Sequence, residues 1–451
     1  MGSELKATFE RYRQNFKTKT HDSSAHGWTV LKGYLLLEGK RTYKNIAQKV
    51  NGPEADGQEI QQFMSDSPWP WEGVFQQVHH DINADPRLIK GTLNIDESGD
   101  ECSGTHKAGA SRQYIGRQGK VELGQVGVLS SYSKDGTWLL TGAELYLPEK
   151  WFSDEELRSR WKRLKIPQER EFVTKLDLAR ELFDKALKNG LAFDWVGGDT
   201  FYGRDIHLRR YISDKGKRYL MSIPKDEQVW LNNPFDTENQ SLIQSVSDIA
   251  ACASFEKITV RDAERGMLVY EHAFVPVWSV NKSDPVKQRQ ARQEILVLRK
   301  EADGSVSYAL SNALKASKEE LARQRAERYF VERTIQDCKS ELGWDELQAL
   351  KYPAYMHTLA ICSVALVFMA KVKLDQRNQY SDPEEVQRAF GFETLPDLSL
   401  AVVKELMRSV MPLPRLSREE ARRKVVQTLF DRSKSKASRV KKKKLNQTQI
   451  E

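Results

Sequence analysis

The hydrophobic periodicity of this sequence changes twice along the chain, and this change constrains the fold more than any other feature. Residues 1–88 repeat apolar side chains at helical spacing, strand-like runs dominate residues 89–315, and helical spacing returns over residues 316–430. A length of 451 residues is enough for about three domains. We therefore predict a mixed α/β protein without internal repeats.

Composition excludes several other classes of protein. The longest apolar stretch, residues 359–370, is shorter than the roughly 18 residues of a membrane span. The first twenty residues are charged and contain no apolar signal-peptide segment. Four widely spaced cysteines without a Cys-x-x-Cys pair indicate neither a disulfide framework nor a zinc site. We expect no membrane partner and a cytoplasmic location.

The middle of the chain has the element order of a ribonuclease-H-like core. The predicted elements are strands over residues 91–97, 126–132 and 138–147, a helix over 175–187 and a strand over 193–196. Strand, strand, strand, helix, strand is the order of that core, and we assign its first part to residues 89–213. Residues 214–315 are predicted to form a β-rich insertion domain.

Helical regions flank this core. Residues 1–88 are predicted to be a helical N-terminal DNA-binding region, since two short helices there resemble a helix-turn-helix with Lys44 and Gln61 on their outer faces. A helical bundle that merely packs on the rest of the protein is an open alternative. Residues 316–374 are predicted to supply the remaining core helices, and residues 375–430 a C-terminal helical region.

The positive charge is concentrated at the C-terminus. The net charge is +8. Residues 431–451 contain two Asp or Glu and eight Lys or Arg, and these basic residues include Lys441, Lys442, Lys443 and Lys444. This segment has too few apolar residues to fold alone. We predict a flexible basic tail that contacts the phosphates of DNA without reading sequence. A tail that only improves solubility is the alternative.

Three acidic residues in separate elements are candidates for a metal site. Asp96 and Asp199 each follow an apolar strand, and Glu332 lies in a charged helix. Metal-assisted phosphoryl transfer needs carboxylates delivered from several elements to one point. Acidic residues at strand ends are also common turn formers, so the spacing alone does not settle the role.

The helix of the third acid carries two cations on the same face. At 100° per residue, Arg328, Glu332 and Lys339 fall within a narrow sector. Arg328 and Lys339 would bind a substrate phosphate there, while the carboxylate of Glu332 would bind a metal ion. The alternative is an exposed ion-pair stripe, in which Arg328 and Glu332 form an ordinary i,i+4 pair.

Five short runs carry a resemblance to a known family. They are IDESGD at residues 95–100, ASRQYIG at 110–116, QVGV at 125–128, LYLP at 145–148 and GDTFYG at 198–203. Together they resemble bacterial insertion-sequence transposases of the DDE superfamily, over about residues 31–374. That family has a Tyr-Arg-Glu-Lys signature, which Arg328, Glu332 and Lys339 match. The position of its Tyr is taken here by Arg325, which puts one substrate contact in doubt.

The resemblance implies a DNA transposase of the cut-and-paste type. It implies that Asp96, Asp199 and Glu332 bind two Mg²⁺ ions, with Mn²⁺ as a substitute, and activate water or a 3′-hydroxyl. Arg328 and Lys339 would position double-stranded DNA at the terminal inverted repeats, and a homodimer would pair two ends. A catalytically silent DNA-binding protein derived from a transposase and a structure-selective nuclease with the same core are the alternatives.

Two further sets of residues are candidate DNA contacts. The loop residues His106, Lys107, Ser111 and Arg112 are the first set, although packing roles are equally open to them. In hairpin-forming relatives, an insertion of this kind holds a Trp against a base flipped out of the duplex. Trp278 and Trp230 are the candidates here, with a place in the core as the alternative. His357 is predicted to be a core histidine.

Overall fold

The computed structural model describes residues 2–236, 242–263, 266–286, 289–346, 349–379 and 398–411, with the single residues 388, 417 and 419. The predicted basic tail, with Lys441, Lys442, Lys443 and Lys444, lies outside the described residues. So does most of the predicted region 375–430.

The N-terminal region is helical, as its periodicity predicts. Its helices are α1 (Gly2–Tyr12), α2 (Ser24–Leu36), α3 (Tyr43–Val50), α4 (Gln58–Ser65) and α5 (Trp71–Ala84). The Thr42 hydroxyl accepts a hydrogen bond from the backbone N–H of Asn45 and caps α3. At the start of α4, a Cβ on Gly57 would lie 2.7 Å from the backbone nitrogen of Lys44, so only glycine lets α3 and α4 approach this closely.

The next strands form the predicted core. They are β1 (Gly91–Glu101), β2 (Ser111–Ile115), β3 (Lys120–Lys134), β4 (Thr137–Tyr146), β5 (Phe193–Gly198) and β6 (Arg218–Ile223). Their spatial order is β4-β3-β1-β5-β6, with β3 antiparallel to both of its neighbours and β5 and β6 parallel to β1. This order is consistent with a ribonuclease-H-like core. Between the strands lie α6 (Lys150–Ser153), α7 (Glu155–Ser159), α8 (Trp161–Leu164), α9 (Lys175–Lys188), α10 (Thr200–Gly203) and α11 (Ile206–Asp214).

The residues after β6 extend the same sheet. They form β7 (Gln228–Trp230), β8 (Ile243–Ser245), α12 (Val246–Cys252), β9 (Glu256–Ala263), β10 (Gly266–Val280), β11 (Ala291–Lys300) and β12 (Val306–Ser311). Strand β12 pairs antiparallel with β6, so the described strands make one 12-stranded sheet. The predicted boundary at residue 213 leaves β6 with the insertion, whereas its parallel pairing to β5 makes it the last strand of the core order. Pairing with β12 covers an edge that β6 would otherwise expose.

The chain then returns to helices. These are α13 (Lys318–Glu327), α14 (Tyr329–Gln336), one π turn (Asp337–Glu341), α15 (Tyr352–Gln379) and α16 (Leu400–Val410). Among the described helices, α15 is the one long and apolar enough to cross a membrane, yet 89% of its most apolar window is buried within the fold. It is therefore placed as a core helix.

One hydrophobic core joins the N-terminal helices, the first half of the sheet and α15. His357 of α15 is fully buried there, which confirms its predicted place in the core. Its Nδ1 lies 2.8 Å from the carbonyl oxygen of Met64 and its Nε2 3.1 Å from that of Trp69. The end of α4 is thus fixed to the central helix.

Candidate active site

Asp96 and Asp199 lie side by side at one edge of the sheet. Strands β1 and β5 are parallel neighbours, and Ile95 is the register partner of Gly198. The next residue of each strand is therefore an aspartate at the same level. In an open parallel sheet, the carboxyl ends of the strands are the usual place for ligands.

Close packing explains the glycines around Asp199. A Cβ on Gly197 would lie 2.2 Å from Oδ1 of Asn94 in β1, and a Cβ on Gly203 would lie 1.9 Å from the carbonyl oxygen of Ser222 in β6. Both contacts are shorter than atoms tolerate. At Gly203 the close atom belongs to the backbone, so the turn after β5, which carries Asp199, can fold against β6 only with glycine there, while at Gly197 the Asn94 side chain would have to shift.

Each of the two aspartates has a backbone contact that orients it. Oδ1 of Asp199 accepts hydrogen bonds from the N–H groups of Phe201 at 2.9 Å and Tyr202 at 3.2 Å, and so caps α10. Oδ1 of Asp96 accepts from the N–H of Glu97 at 2.8 Å. Both carboxylates keep their second oxygen for other partners.

The electrostatics of Asp96 show that carboxylates accumulate here. Its side chain is 14% exposed. Burial, and next the charge of Asp199, raise the pKa of Asp96 to about 7, with a further contribution from Glu332, while Arg328 acts in the opposite direction. The site therefore holds more negative charge than its surroundings stabilise.

The helices that carry the third acid are fixed to the sheet at three points. Thr92 Oγ1 donates to Oε1 of Gln324 at 2.7 Å, and Ser133 Oγ donates to Oε2 of Glu327 at 2.5 Å. Beyond Glu332, Trp138 Nε1 donates to Oδ2 of Asp337 at 2.8 Å. These contacts hold α13 and α14 against the sheet near the start of β1, where Thr92, Ser133 and Trp138 lie side by side in register.

Arg328 lies between the first and third acids. Its Nη2 is 2.6 Å from Oε1 of Glu332, as the i,i+4 spacing predicts, and its Nη1 is 3.7 Å from Oδ2 of Asp96. The side chain of Glu332 is 52% exposed. The guanidinium therefore supplies positive charge between two carboxylates that come from different elements.

Lys339 reaches the same cleft by a different backbone path from the one expected. The predicted continuous helix is divided at Arg328, and Lys339 lies in the π turn, so the 100° spacing does not hold through it. Its Nζ is 2.6 Å from Oδ1 of Asp100 and donates to the carbonyl oxygen of Gly99 at 3.1 Å. Alternation along β1 puts Asp96 and Asp100 on one face, a signal that could have identified Asp100 as the partner of Lys339.

These residues line one cleft of about 920 Å³, which includes Asp96, Asp199, Arg328, Glu332 and Lys339. Among the described residues, no three carboxylate, imidazole or thiol groups are close enough to form a complete metal cage. The donors nevertheless fit a hard divalent cation, because they are carboxylate oxygens and because burial, followed by the charges of Asp199 and Glu332, raises the pKa of Asp96. In this arrangement, Arg328 provides the charge that a metal ion would supply.

Arg325 occupies the position of the family's Tyr. It is buried and does not line the cleft, but it is hydrogen-bonded to a residue that does. Its Nη1 donates to Oγ of Ser222 at 2.9 Å, and Ser222 itself lines the cleft. Burial, and next the charges of Arg299 and Arg328, lower the pKa of Arg325 to about 9. Sequence reasoning missed Ser222, since nothing in its local pattern distinguishes it.

The predicted DNA contacts lie on different surfaces. His106 and Arg112 are exposed and Lys107 and Ser111 half-buried, with Ser111 and Arg112 in β2. Nη2 of Arg112 donates to the carbonyl oxygen of Val121 at 3.1 Å. Lys44 of α3 and Gln61 of α4 are exposed, while the buried sides of their helices pack into the core.

Trp230 and Trp278 lie next to each other. They are direct register partners in the antiparallel pair of β7 and β10, so their side chains share one face of the sheet. Both are half-buried, and Nζ of Lys282 lies 5.6 Å from the centre of the Trp230 ring. Two aromatic rings with a nearby cation form a surface on which a planar group could stack.

Comparison with known proteins gives a family and one relative. Residues 11–242, just over half of the chain, match the family described as DDE superfamily endonuclease. The chain is also 22% identical over 327 residues to a protein of Microchaete diplosiphon named probable transposase for insertion sequence element IS701. That alignment covers 70% of this chain and 74% of the relative.

Proposed function

The chain belongs to the DDE superfamily of endonucleases, and on this premise we propose that it is a DNA transposase that cuts at the inverted-repeat ends of its element and joins them to target DNA. The similarity to a named probable transposase supports this choice within the family. Its substrate is double-stranded DNA.

One observation supports the catalytic assignment above all others. Asp96 and Asp199 are adjacent in register, and the charges of Asp199 and Glu332 both raise the pKa of Asp96. Three carboxylates from a strand end, a turn and a helix therefore act on one another electrostatically. This is the arrangement that metal-assisted phosphoryl transfer requires.

Divalent metal dependence follows from the family in general, and we propose Mg²⁺, with Mn²⁺ as a substitute, held by Asp96, Asp199 and Glu332. When bound, two such ions lower the pKa of an attacking hydroxyl and stabilise the leaving oxygen. The protein's own residues then perform the positioning. Arg328 has contacts to two of the acids that it must exchange for a phosphate of the substrate.

Lys339 and Arg325 would orient the DNA strand in this scheme. Lys339 lines the cleft and is held by Asp100, so its ammonium group has a fixed place beside the substrate. The buried Arg325 orients the hydroxyl of Ser222 and adds positive charge behind the cleft. Together they favour binding of a phosphate at this wall.

We also propose that the pair of Trp230 and Trp278 stacks against a base flipped out of the duplex. Stacking on an aromatic ring returns about 1 to 3 kcal/mol of the cost of flipping. Excision would then pass through a hairpin-capped end, and a homodimer would pair the two ends. Lys44, Gln61, His106, Lys107, Ser111 and Arg112 are the other proposed DNA contacts within the described residues.

Cleavage assays with single isosteric variants test this function. The substrate is a labelled duplex containing the inverted repeats that flank the gene. We expect Mg²⁺-dependent cuts by the wild type, none by Asp96→Asn, Asp199→Asn or Glu332→Gln, and DNA binding by all four. The matched control is Asp135→Asn, since Asp135 is exposed, belongs to the turn between β3 and β4, and has a left-handed backbone (φ 46°) that Asn tolerates.

Each outcome of this assay decides something. Robust cutting by any one of the three variants removes that residue from the site. Loss of cutting by the Asp135→Asn control would show that the assay responds to general damage. Cleavage by the wild type without joining to a target duplex would favour a nuclease over a transposase.

A further inference from the structure

A basic segment outside the proposed site lies on the side of the sheet where β1 and β4 end. Residues 158–165 have the sequence RSRWKRLK, which contains five Lys or Arg and no Asp or Glu. They belong to α7 and α8, in the connection between β4 and α9. The family resemblance gives them no role, although a run of cations with an interleaved aromatic is typical of nucleic-acid contacts.

The sheet register places this segment at the edge that carries the acids. Tyr146, at the end of β4, pairs with Val126, which in turn pairs with Gly99 near the end of β1. The connection that follows β4 therefore leaves the sheet where β1 ends. Lys175, at the start of α9 after this connection, lies 2.8 Å from Oε1 of Glu97, the neighbour of Asp96.

Several contacts fix the segment rigidly. Trp161 is buried, and its Nε1 donates to the carbonyl oxygen of Trp151 at 3.1 Å; Trp151 in turn donates to the carbonyl oxygen of Ala110 at 3.2 Å. The guanidinium of Arg158 lies 3.6 Å from the centre of the Trp161 ring. The backbone that carries the cations is therefore fixed to the core of the protein.

The segment also connects two regions already proposed to contact DNA. Nη1 of Arg160 donates to the carbonyl oxygen of Thr105 at 3.1 Å, beside His106. Nζ of Lys165 donates to the carbonyl oxygen of Asp66 at 2.8 Å, one residue beyond α4. The basic segment therefore lies between the loop after β1 and the helix that carries Gln61.

The cations of this segment differ in their surroundings. Arg160 pairs with Glu156, and Lys165 pairs with Asp66. Lys162 and Arg163 are exposed, and among the described residues no carboxylate lies within ion-pairing distance of either side chain. Within the part of the chain that the structure describes, the charges of these two cations are therefore not paired, and a phosphate could supply the counter-charge.

We propose that residues 158–165 form a phosphate-binding surface for duplex DNA, with Lys162 and Arg163 as its principal contacts. This proposal rests on the proposed function and extends that function, because the surface would guide the duplex from α4 to the carboxylate cleft. The ligand is the sugar-phosphate backbone and not a base sequence.

Salt-dependent binding by the full chain tests this surface. The probe is a fluorescent 30-base-pair duplex of random sequence, with binding followed by anisotropy at several salt concentrations. The double variant Lys162→Gln/Arg163→Gln should bind about tenfold or more weakly at about 0.1 M salt, and the slope of log affinity against log salt should fall by about 1.8, or about 0.9 for each phosphate that is no longer neutralised.

Two further variants separate the effect of charge at these two positions from the effect of the protein's net charge and of the exact side chain. Lys188→Gln/Lys215→Gln removes the same charge from exposed positions before β5 and β6, at the opposite ends of the strands, and should bind like the wild type. Lys162→Arg/Arg163→Lys keeps the charge and should retain affinity. An equal loss of affinity in both Gln pairs would overturn the proposal, because it would reflect net charge alone.

The outcomes distinguish failure of the proposed DNA-binding surface from failure of the proposed transposase function. Unchanged affinity and slope in Lys162→Gln/Arg163→Gln, with normal binding by the wild type, would remove the surface and leave the transposase assignment intact. Failure of the wild type to bind any duplex, including one with the flanking repeats, would contradict the transposase assignment itself.

Discussion

The strands that carry the aspartates and the strands of the insertion belong to one sheet, but the two halves bury their side chains differently. Around β1, β3 and β4, the apolar side chains join a single large core shared with α9 and α15. In the insertion, β11 divides its side chains between two smaller clusters, with Leu296 and Leu298 facing one and Val297 the other. Its margins expose apolar side chains such as Leu242 and Met267.

The difference in burial between the two halves of the sheet suits them to two different tasks, chemistry and substrate handling. Where both faces of the sheet are covered, Asp96 lies at the point where β1 continues beyond its pairing with β5, and burial there is sufficient to change its pKa. Where the sheet is thinly covered, Trp230 and Trp278 stay half-exposed and remain available to a ligand. We expect chemistry to depend on the first half and substrate handling on the second.

The largest expected effect compares one residue from each half. Asp199→Asn should reduce all cleavage by at least about 10³-fold, since it would remove one of the three proposed metal ligands. Trp278→Ala should leave the first nick near the wild-type rate and slow hairpin formation by about 5- to 150-fold, equivalent to the loss of about 1 to 3 kcal/mol of stacking. Denaturing gels of excised ends measure both steps.

A negative result in this experiment is equally clear. If double-strand breaks accumulate with no species of doubled single-strand length at any time, the hairpin route is wrong. If Trp278→Ala also abolishes the first nick, the proposed division of tasks between the two halves fails. Phe235→Ala is the aromatic control, because Phe235 is exposed and lies in the insertion.

The second effect concerns stability in the carboxylate half. Because the folded-state pKa of Asp96 is raised to about 7, the folded protein binds a proton that the unfolded chain releases between about pH 4 and 7, so stability falls as pH rises through that range. Asp96→Asn removes this cost and should stabilise the metal-free protein by at most about 4 kcal/mol above pH 7, with no difference below pH 4.

Urea denaturation at pH 4 and pH 8 measures this difference. Mg²⁺ should then stabilise the wild type more than the variant, because it binds the ionised carboxylates of the folded state. A variant that is less stable than the wild type at pH 8, by more than at pH 4, would contradict the repulsion among the three acids.

The third effect tests the junction of the two halves at β6. In Gly203→Ala, the new Cβ would meet the Ser222 carbonyl oxygen at 1.9 Å, and α10 must move away from β6. We expect a decrease of about 1 to 3 kcal/mol in the free energy of unfolding. Gly104→Ala, where a Cβ meets nothing within 4 Å, is the control and should be close to neutral.

The smallest expected effect lies outside both halves. Truncation after Phe430 removes the eight basic residues of the tail and should weaken binding to all duplexes alike. The salt slope should fall by up to about 0.9 for each phosphate that the tail neutralises in the full chain, while the ratio of specific to non-specific affinity stays constant. An unchanged slope would mean that the tail does not contact DNA.

Local patterns determined much of this protein. Apolar runs that lead into an aspartate located β5 with Asp199 directly after it, and β1 with Asp96 within it, although β1 continues to Glu101. Such signals are readable because they depend on neighbours within a few residues. The i,i+4 pair of Arg328 and Glu332 is local in the same sense.

Tertiary structure decided the contacts between distant segments. The pairing of β12 with β6, the neighbouring rings of Trp230 and Trp278, and the approach of Arg328 to Asp96 join residues far apart in the chain. The place of residues 158–165 on the side of the sheet where β1 ends depends likewise on the register of β4 and β3. Periodicity states which face of an element is buried, but the partner that covers it is chosen by packing the whole chain at once.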